Sequence, residues 1–212
     1  MNFQRELKKY DSQPITQQTL MHLLREYEWP YNKIGQLVKS GMLEQVKRGL
    51  YVAGKESDLN KPSNFLLANH IYGPSYVSLE SALSYRGLIP EKVSETMSVT
   101  IGASRSFDTT IGRFTYRNAE TPYYSYGIRQ VTVSENQVVL MASSEKALCD
   151  KIIMTPGIRL RSITQTREFL EEDLRIDLSS LQQLDTSIIN DWIAQSQKQD
   201  SLTMLVKTLN GL

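Results

Sequence analysis

Leu20, Leu23 and Leu24 recur at the spacing of one helical face, and Ile34, Leu37 and Val38 repeat it after a break at Trp29-Pro30. Two short helices are predicted there. Thr16, just after Pro14, stands where an N-cap accepts from the first free amides, and Gly41 stands where a left-handed residue closes a helix. Leu43 to Val46 and Leu50 to Val52 are short β-like runs joined by Lys47-Arg48-Gly49, which predicts a hairpin with a basic tip. Ahead of all these, Phe3 to Tyr10 predicts a further short helix.

After the polar linker Lys55 to Asn60 the pattern changes. A helix is predicted from Ser63 to Tyr72, behind Pro62 and stopped by Gly73-Pro74, and Tyr76 to Ser78 reads as a strand feeding a helix over Leu79 to Tyr85. Thr96 to Ile101, Phe107 to Tyr116, Gly127 to Val133 and Gln137 to Met141 read as strands, with Ser134-Glu135-Asn136 as a turn between the last two. Ser143 caps a helix from Ser144 to about Ile153, and Thr164 to Leu174, Ser187 to Gln195 and Ser201 to Leu209 look helical. The expected fold class is α+β. A winged helix-turn-helix occupies residues 1–58, followed by an α+β domain with a helical C-terminal tail over residues 61–212.

Composition narrows the function classes. The longest apolar run is Val138 to Ala142, far short of the roughly 20 residues a membrane-spanning helix needs. The charged start of the chain has no apolar secretory core, so a cytoplasmic protein is expected. One cysteine, Cys149, forms no internal disulfide, and with only His22 and His70 beside it no four-ligand zinc site is expected. The net charge of +1 hides an uneven distribution: residues 31–55 hold five bases against one acid, whereas residues 160–212 hold five against eight. A basic patch on a near-neutral chain is the footprint of localised nucleic-acid binding.

In a winged helix-turn-helix the second helix enters the major groove and the hairpin reaches flanking phosphates. With Ile34, Leu37 and Val38 turned to the core, Tyr31, Asn32, Lys33, Gln36 and Lys39 face the DNA, and Lys47 and Arg48 form the wing contact. Asn and Gln pair with adenine, while Lys meets phosphate or guanine.

Other motifs carry less. Ser143-x-x-Lys146 has the spacing of an acyl-enzyme serine and its lysine, but a serine before a helix is the commonest N-cap and the companion elements are absent. No glycine-rich phosphate loop occurs, so neither an enzyme nor a cofactor is expected. Cys149 is expected on the buried side of its helix, and Tyr123-Tyr124-Ser125-Tyr126 is read as an interface.

Three segments together resemble the AbiEi family. Leu37 to Tyr51 resembles its opening block, Tyr76 to Pro90 its second block, and Ser144 to Asp150 its third, in order across about two-thirds of the chain. The resemblance implies a bacterial transcriptional repressor that is the antitoxin of a type IV toxin-antitoxin, or abortive-infection, pair. Its partners would be double-stranded DNA at promoter inverted repeats, bound as a dimer, and a nucleotidyltransferase toxin countered without a stable complex. It also implies Ser78 as an N-cap, Ala82 and Leu83 as core and Gly87 as a turn. Family members are thought to use basic surface on the C-terminal domain, and here the bases available for it are Arg105, Arg113, Arg117 and Arg129, since the tail is acidic. The alternative is an adaptor whose α+β domain recognises a protein or ligand, with no antitoxin role.

Overall fold

The computed structural model describes residues 3–212. The chain opens with α1 (Phe3–Leu7), a 3-10 turn, β1 (Ile15–Thr16), α2 (Gln17–Leu23), α3 (Pro30–Lys39) and the strands β2 (Leu43–Lys47) and β3 (Leu50–Ala53). Local chemistry sets these boundaries. Thr16 Oγ1 accepts from the Thr19 amide at 3.1 Å to start α2, and Pro30 occupies the first turn of α3, where its missing N–H costs nothing. Gly41, at φ +75, ends the run after α3, and Gly49, at φ +83, lets β2 turn tightly into β3. Strand β1 adds to this hairpin, giving a three-stranded antiparallel sheet in the order β1-β3-β2.

The second part begins with α4 (Asn64–Ile71), β4 (Ser75–Val77), α5 (Leu79–Tyr85) and β5 (Thr96–Thr100), then β6 (Arg105–Asp108), β7 (Arg113–Asn118), β8 (Ile128–Ser134) and β9 (Gln137–Ala142). It ends with α6 (Ser144–Met154), α7 (Ile163–Glu168) running into a π-helical turn, α8 (Leu178–Leu181), α9 (Thr186–Ile193) and α10 (Gln199–Leu209). The strands form one mixed sheet in the order β6-β7-β5-β4-β9-β8. The molecule is α+β.

The single strand expected over residues 107–116 is instead two, β6 and β7. The Thr109 hydroxyl donates to the Gly112 carbonyl and accepts the Ile111 amide, which folds the run back on itself. Helices cover both faces of the sheet. Tyr116 donates to the Ala68 carbonyl of α4 at 2.7 Å, while Tyr76, on the opposite face by register, reaches Asp150 of α6.

Two apolar clusters result. The smaller joins Phe3, Leu7, Ile15, Leu20, Leu24, Ile34, Leu37, Leu43 and Tyr51. The larger runs through the sheet and its helices and also takes in Val46, Leu50 and Val52 of the hairpin. The hairpin therefore packs into both cores, and Lys61 bonds its Glu44 at 2.5 Å, while the Asn60 backbone amide donates to the Asp11 carboxylate at 2.7 Å and ties the linker to the segment before β1.

Candidate nucleic-acid interface

On α3 the apolar positions face inward as the spacing predicts, with Ile34 and Leu37 buried. Tyr31, Asn32, Gln36 and Lys39 are exposed, and Lys33 is half-buried with its ammonium 5.5 Å from the centre of the Tyr27 ring. The helix contains no carboxylate. Two residues missed by the sequence reading join this face's N-terminal end: Trp29 is 66% exposed and Tyr27 40%, beside Tyr31 at 64%. Their signal was present as three aromatics at a spacing of two, bracketing a helix start.

The expected basic tip needs correction. Arg48 is exposed in the turn, but Lys47 is half-buried and its ammonium donates to the Ile71 carbonyl at the end of α4. The cause is a bulge between Gln45 and Lys47, which shifts the alternation of β2 and turns Lys47 toward the carbonyl end of a helix, where a cation is favoured. Burial pushes its ammonium below the usual lysine range. Lys47 fastens the hairpin to α4.

The four arginines of the β-rich part do not form one patch. Arg105, Arg113 and Arg117 lie around a 290 Å³ cleft on the β6–β7 edge, whereas Arg129 lies on β8 at the other edge of the sheet. Arg113 is drawn to Glu95 at 3.4 Å and Asp108 at 3.9 Å, and Arg105 sits over the Tyr72 ring at 5.5 Å.

The second and third sequence blocks meet in the core. Asp150 accepts from Ser78 Oγ at 2.6 Å, Tyr76 at 3.0 Å and Tyr123 at 2.8 Å, and Lys146 donates to the Tyr123 carbonyl at 2.8 Å. Ser78 occupies the N-cap position of α5, its carbonyl accepting the Ala82 amide, but its hydroxyl does not cap the helix: it is taken by Asp150, and Leu79 enters α5 at φ +54, a left-handed conformation that leucine adopts only under constraint. Tyr123 is likewise core and not interface. Burial and the neighbouring carboxylate raise the Tyr76 and Tyr123 phenols well above their ordinary range. None of Tyr76, Ser78, Lys146 and Asp150 exposes any surface. Ser143 serves as the cap of α6, accepting the Lys146 amide at 3.2 Å.

No described group of His, Cys, Asp and Glu is arranged to hold a metal, and no described helix is long and apolar enough to cross a membrane. No protein-family model matches the chain, and no curated protein matches it. The crystal structure of the RV2827C protein from Mycobacterium tuberculosis has a similar fold, with a TM-score of 0.56 at 14% identity, covering 98% of this chain and 79% of that one. At that identity the likeness is one of fold alone.

Proposed function

We propose that residues 1–58 are a winged helix-turn-helix that binds double-stranded DNA, with α3 as the reading helix and the β2–β3 hairpin as the wing. The observation that carries this reading is the outward face of α3, where Asn32, Lys33, Gln36 and Lys39 stand with no acid on the helix. A helix of that composition is attracted to phosphate and offers amides to adenine. On the three-block resemblance to the AbiEi family, the chain represses its own promoter and acts as the antitoxin of a type IV pair, with Arg117, Arg105 and Arg129 as exposed bases of the second part.

The test is a mobility shift on the chain's own upstream region at two salt concentrations, beside a Lys33→Ala/Lys39→Ala variant. A discrete, salt-sensitive complex that the variant loses while staying folded supports the reading. A shift no stronger than on unrelated DNA rejects it. The exposed Trp29 and Tyr31 then favour the second reading, in which this unit docks a protein.

A further inference from the structure

The mixed sheet has two outer edges, and they are built differently. Strand β6 is four residues long and carries a charge at each end, Arg105 and Asp108, a common way of keeping a sheet edge from pairing with another chain. Strand β8 is seven residues long, and its one charge is Arg129. It holds no proline, glycine or lysine, and Ile128, Val131, Thr132 and Val133 are β-branched, the side-chain type that favours strand pairing.

The hydrogen bonds of the sheet fix which main-chain groups of β8 are free. The Ser143 amide donates to the Gly127 carbonyl at 2.8 Å, and the same register runs on from Ile128 opposite Ala142 to Thr132 opposite Val138. Bonded and unbonded pairs alternate along an antiparallel ladder, so Arg129 and Val131 bond β9, while the amides and carbonyls of Ile128, Gln130 and Thr132 point away from it. The Ile128 carbonyl meets Nη1 of Arg129 at 3.4 Å, whereas the outward groups of Gln130 and Thr132 have no main-chain partner among the described residues. No helix closes over this edge: on β9 beside it, Val138 is 53% exposed and Leu140 40%.

The charges around the free run are self-complementary. Arg129 precedes it and Glu135 follows it; both are exposed, and neither forms an ion pair among the described residues. The turn that carries Glu135 is held in place, because Gln13 Nε2 donates to the Asn136 carbonyl at 2.8 Å. A second copy running antiparallel about a two-fold axis at Val131 sets Gln130 against Thr132 of that copy and brings each Arg129 toward the other's Glu135. Like charges at the two ends would repel in the same arrangement.

We infer that two copies of this chain associate through β8, which continues the six-stranded sheet across a two-fold axis at Val131. Gln130 and Thr132 exchange main-chain hydrogen bonds between the copies, Val131 packs on its symmetry mate in the closer, unbonded position, and Arg129 and Glu135 pair at the rims. The irregularity between Thr132 and Ser134 stops the pairing there, so the contact is short and the dimer dissociates on dilution. A two-fold contact closes on itself and does not run on into a fibre.

Sedimentation equilibrium of the full-length chain without DNA, over a range of concentrations, tests this inference. A reversible equilibrium between monomer and dimer is expected. Gln130→Pro should leave only monomer while the chain keeps its own sheet, because the amide it removes points away from β9. Arg129→Glu and Glu135→Arg should each weaken the dimer by about tenfold, by setting like charges together at both rims, and the two combined should restore it to within about twofold. Both side chains are exposed, so neither change should disturb the fold. A monomer at every concentration overturns the inference and leaves this edge to an extended segment of another protein. A dimer that survives Gln130→Pro, or a double charge variant no tighter than the single ones, also overturns it, since association then uses another surface. None of these readouts depends on DNA binding by α3.

Discussion

The Lys146 ammonium lies 3.3 Å from Oδ1 of Asp150, one helical turn further along α6, and neither side chain exposes any surface. The same ammonium sits 3.1 Å from the centre of the Tyr123 ring. Two charges taken out of water need this many partners to be held, since an uncompensated ion in the core is far less stable than a neutral group. Asp150→Ala should therefore cost about 3–5 kcal/mol in urea unfolding, by leaving Lys146 unpaired. Lys146→Met/Asp150→Leu should recover part of that loss but not all, because Ser78, Tyr76 and Tyr123 would still lack their acceptor. Equal losses in the single and double variants would show that the unpaired ammonium is not what destabilises the core.

Cys149 adjoins this knot and is wholly buried, with burial pushing its thiol up to about 12. The thiolate is the reactive form, so the native protein should resist alkylation at neutral pH. Modification should proceed only as fast as the chain unfolds, measured by mass shift across a urea series. Rapid alkylation of the folded protein would contradict the packing of α6.

Arg48 and Lys47 are neighbours in sequence with different jobs in the fold. On the proposed DNA-binding role, Arg48→Ala should lower the salt dependence of binding by about one unit of slope and leave the thermal midpoint unchanged. Lys47→Ala should do the reverse, lowering the midpoint through loss of its bond to the Ile71 carbonyl and leaving the slope as it was. Measuring both quantities for both variants separates a phosphate contact from a structural tie.

Trp29 and Tyr31 flank the first turn of α3, where a reading helix meets base edges, and both are about two-thirds exposed. Apolar side chains in that position contact the thymine methyl group. If α3 reads DNA as proposed, replacing thymine by deoxyuracil throughout the bound fragment should weaken the native protein severalfold and leave Trp29→Ala/Tyr31→Ala unaffected. Equal binding of both fragments by the native chain would exclude that contact.

Acid should loosen the junction between the two parts. The hydrogen bond from Lys61, with another from Thr110, holds the Glu44 carboxyl below its ordinary 4.5, and the Asn60 amide holds Asp11 below 3.8. A carboxyl depressed in the folded state contributes its stability in full above its unfolded value and loses it as pH falls through the folded one. These two groups should therefore leave the thermal midpoint flat above about pH 5 and lower it below about pH 4. Lys61→Met should flatten part of that fall.

The elements of the first part were legible because their signals are local. Thr16 and the helix-closing Gly41 act within four residues of the groups they satisfy, as Ser143 does in the second part, and the leucine and isoleucine spacing of α2 and α3 needs no distant partner. The expectation of a buried Cys149 rested on the same kind of periodicity. Where tertiary contacts compete with local chemistry, the reading from spacing went astray. Ser78 has every local reason to cap α5 and instead serves Asp150, 72 residues away. Lys47 is expected at the tip as the first residue of the connection Lys47-Arg48-Gly49, but a bulge in β2 turns it to α4.

Periodicity by itself determined that this chain is α+β, with two short helices and a hairpin ahead of a β-rich part and a helical end, because backbone hydrogen bonding and capping are satisfied among near neighbours. Only the tertiary structure decided the strand order β6-β7-β5-β4-β9-β8, the separation of Arg129 from the other three arginines, and the meeting of Arg159 and Arg161 with the start of α10. Each depends on which distant surfaces bury one another, and burial is a property of the assembled fold.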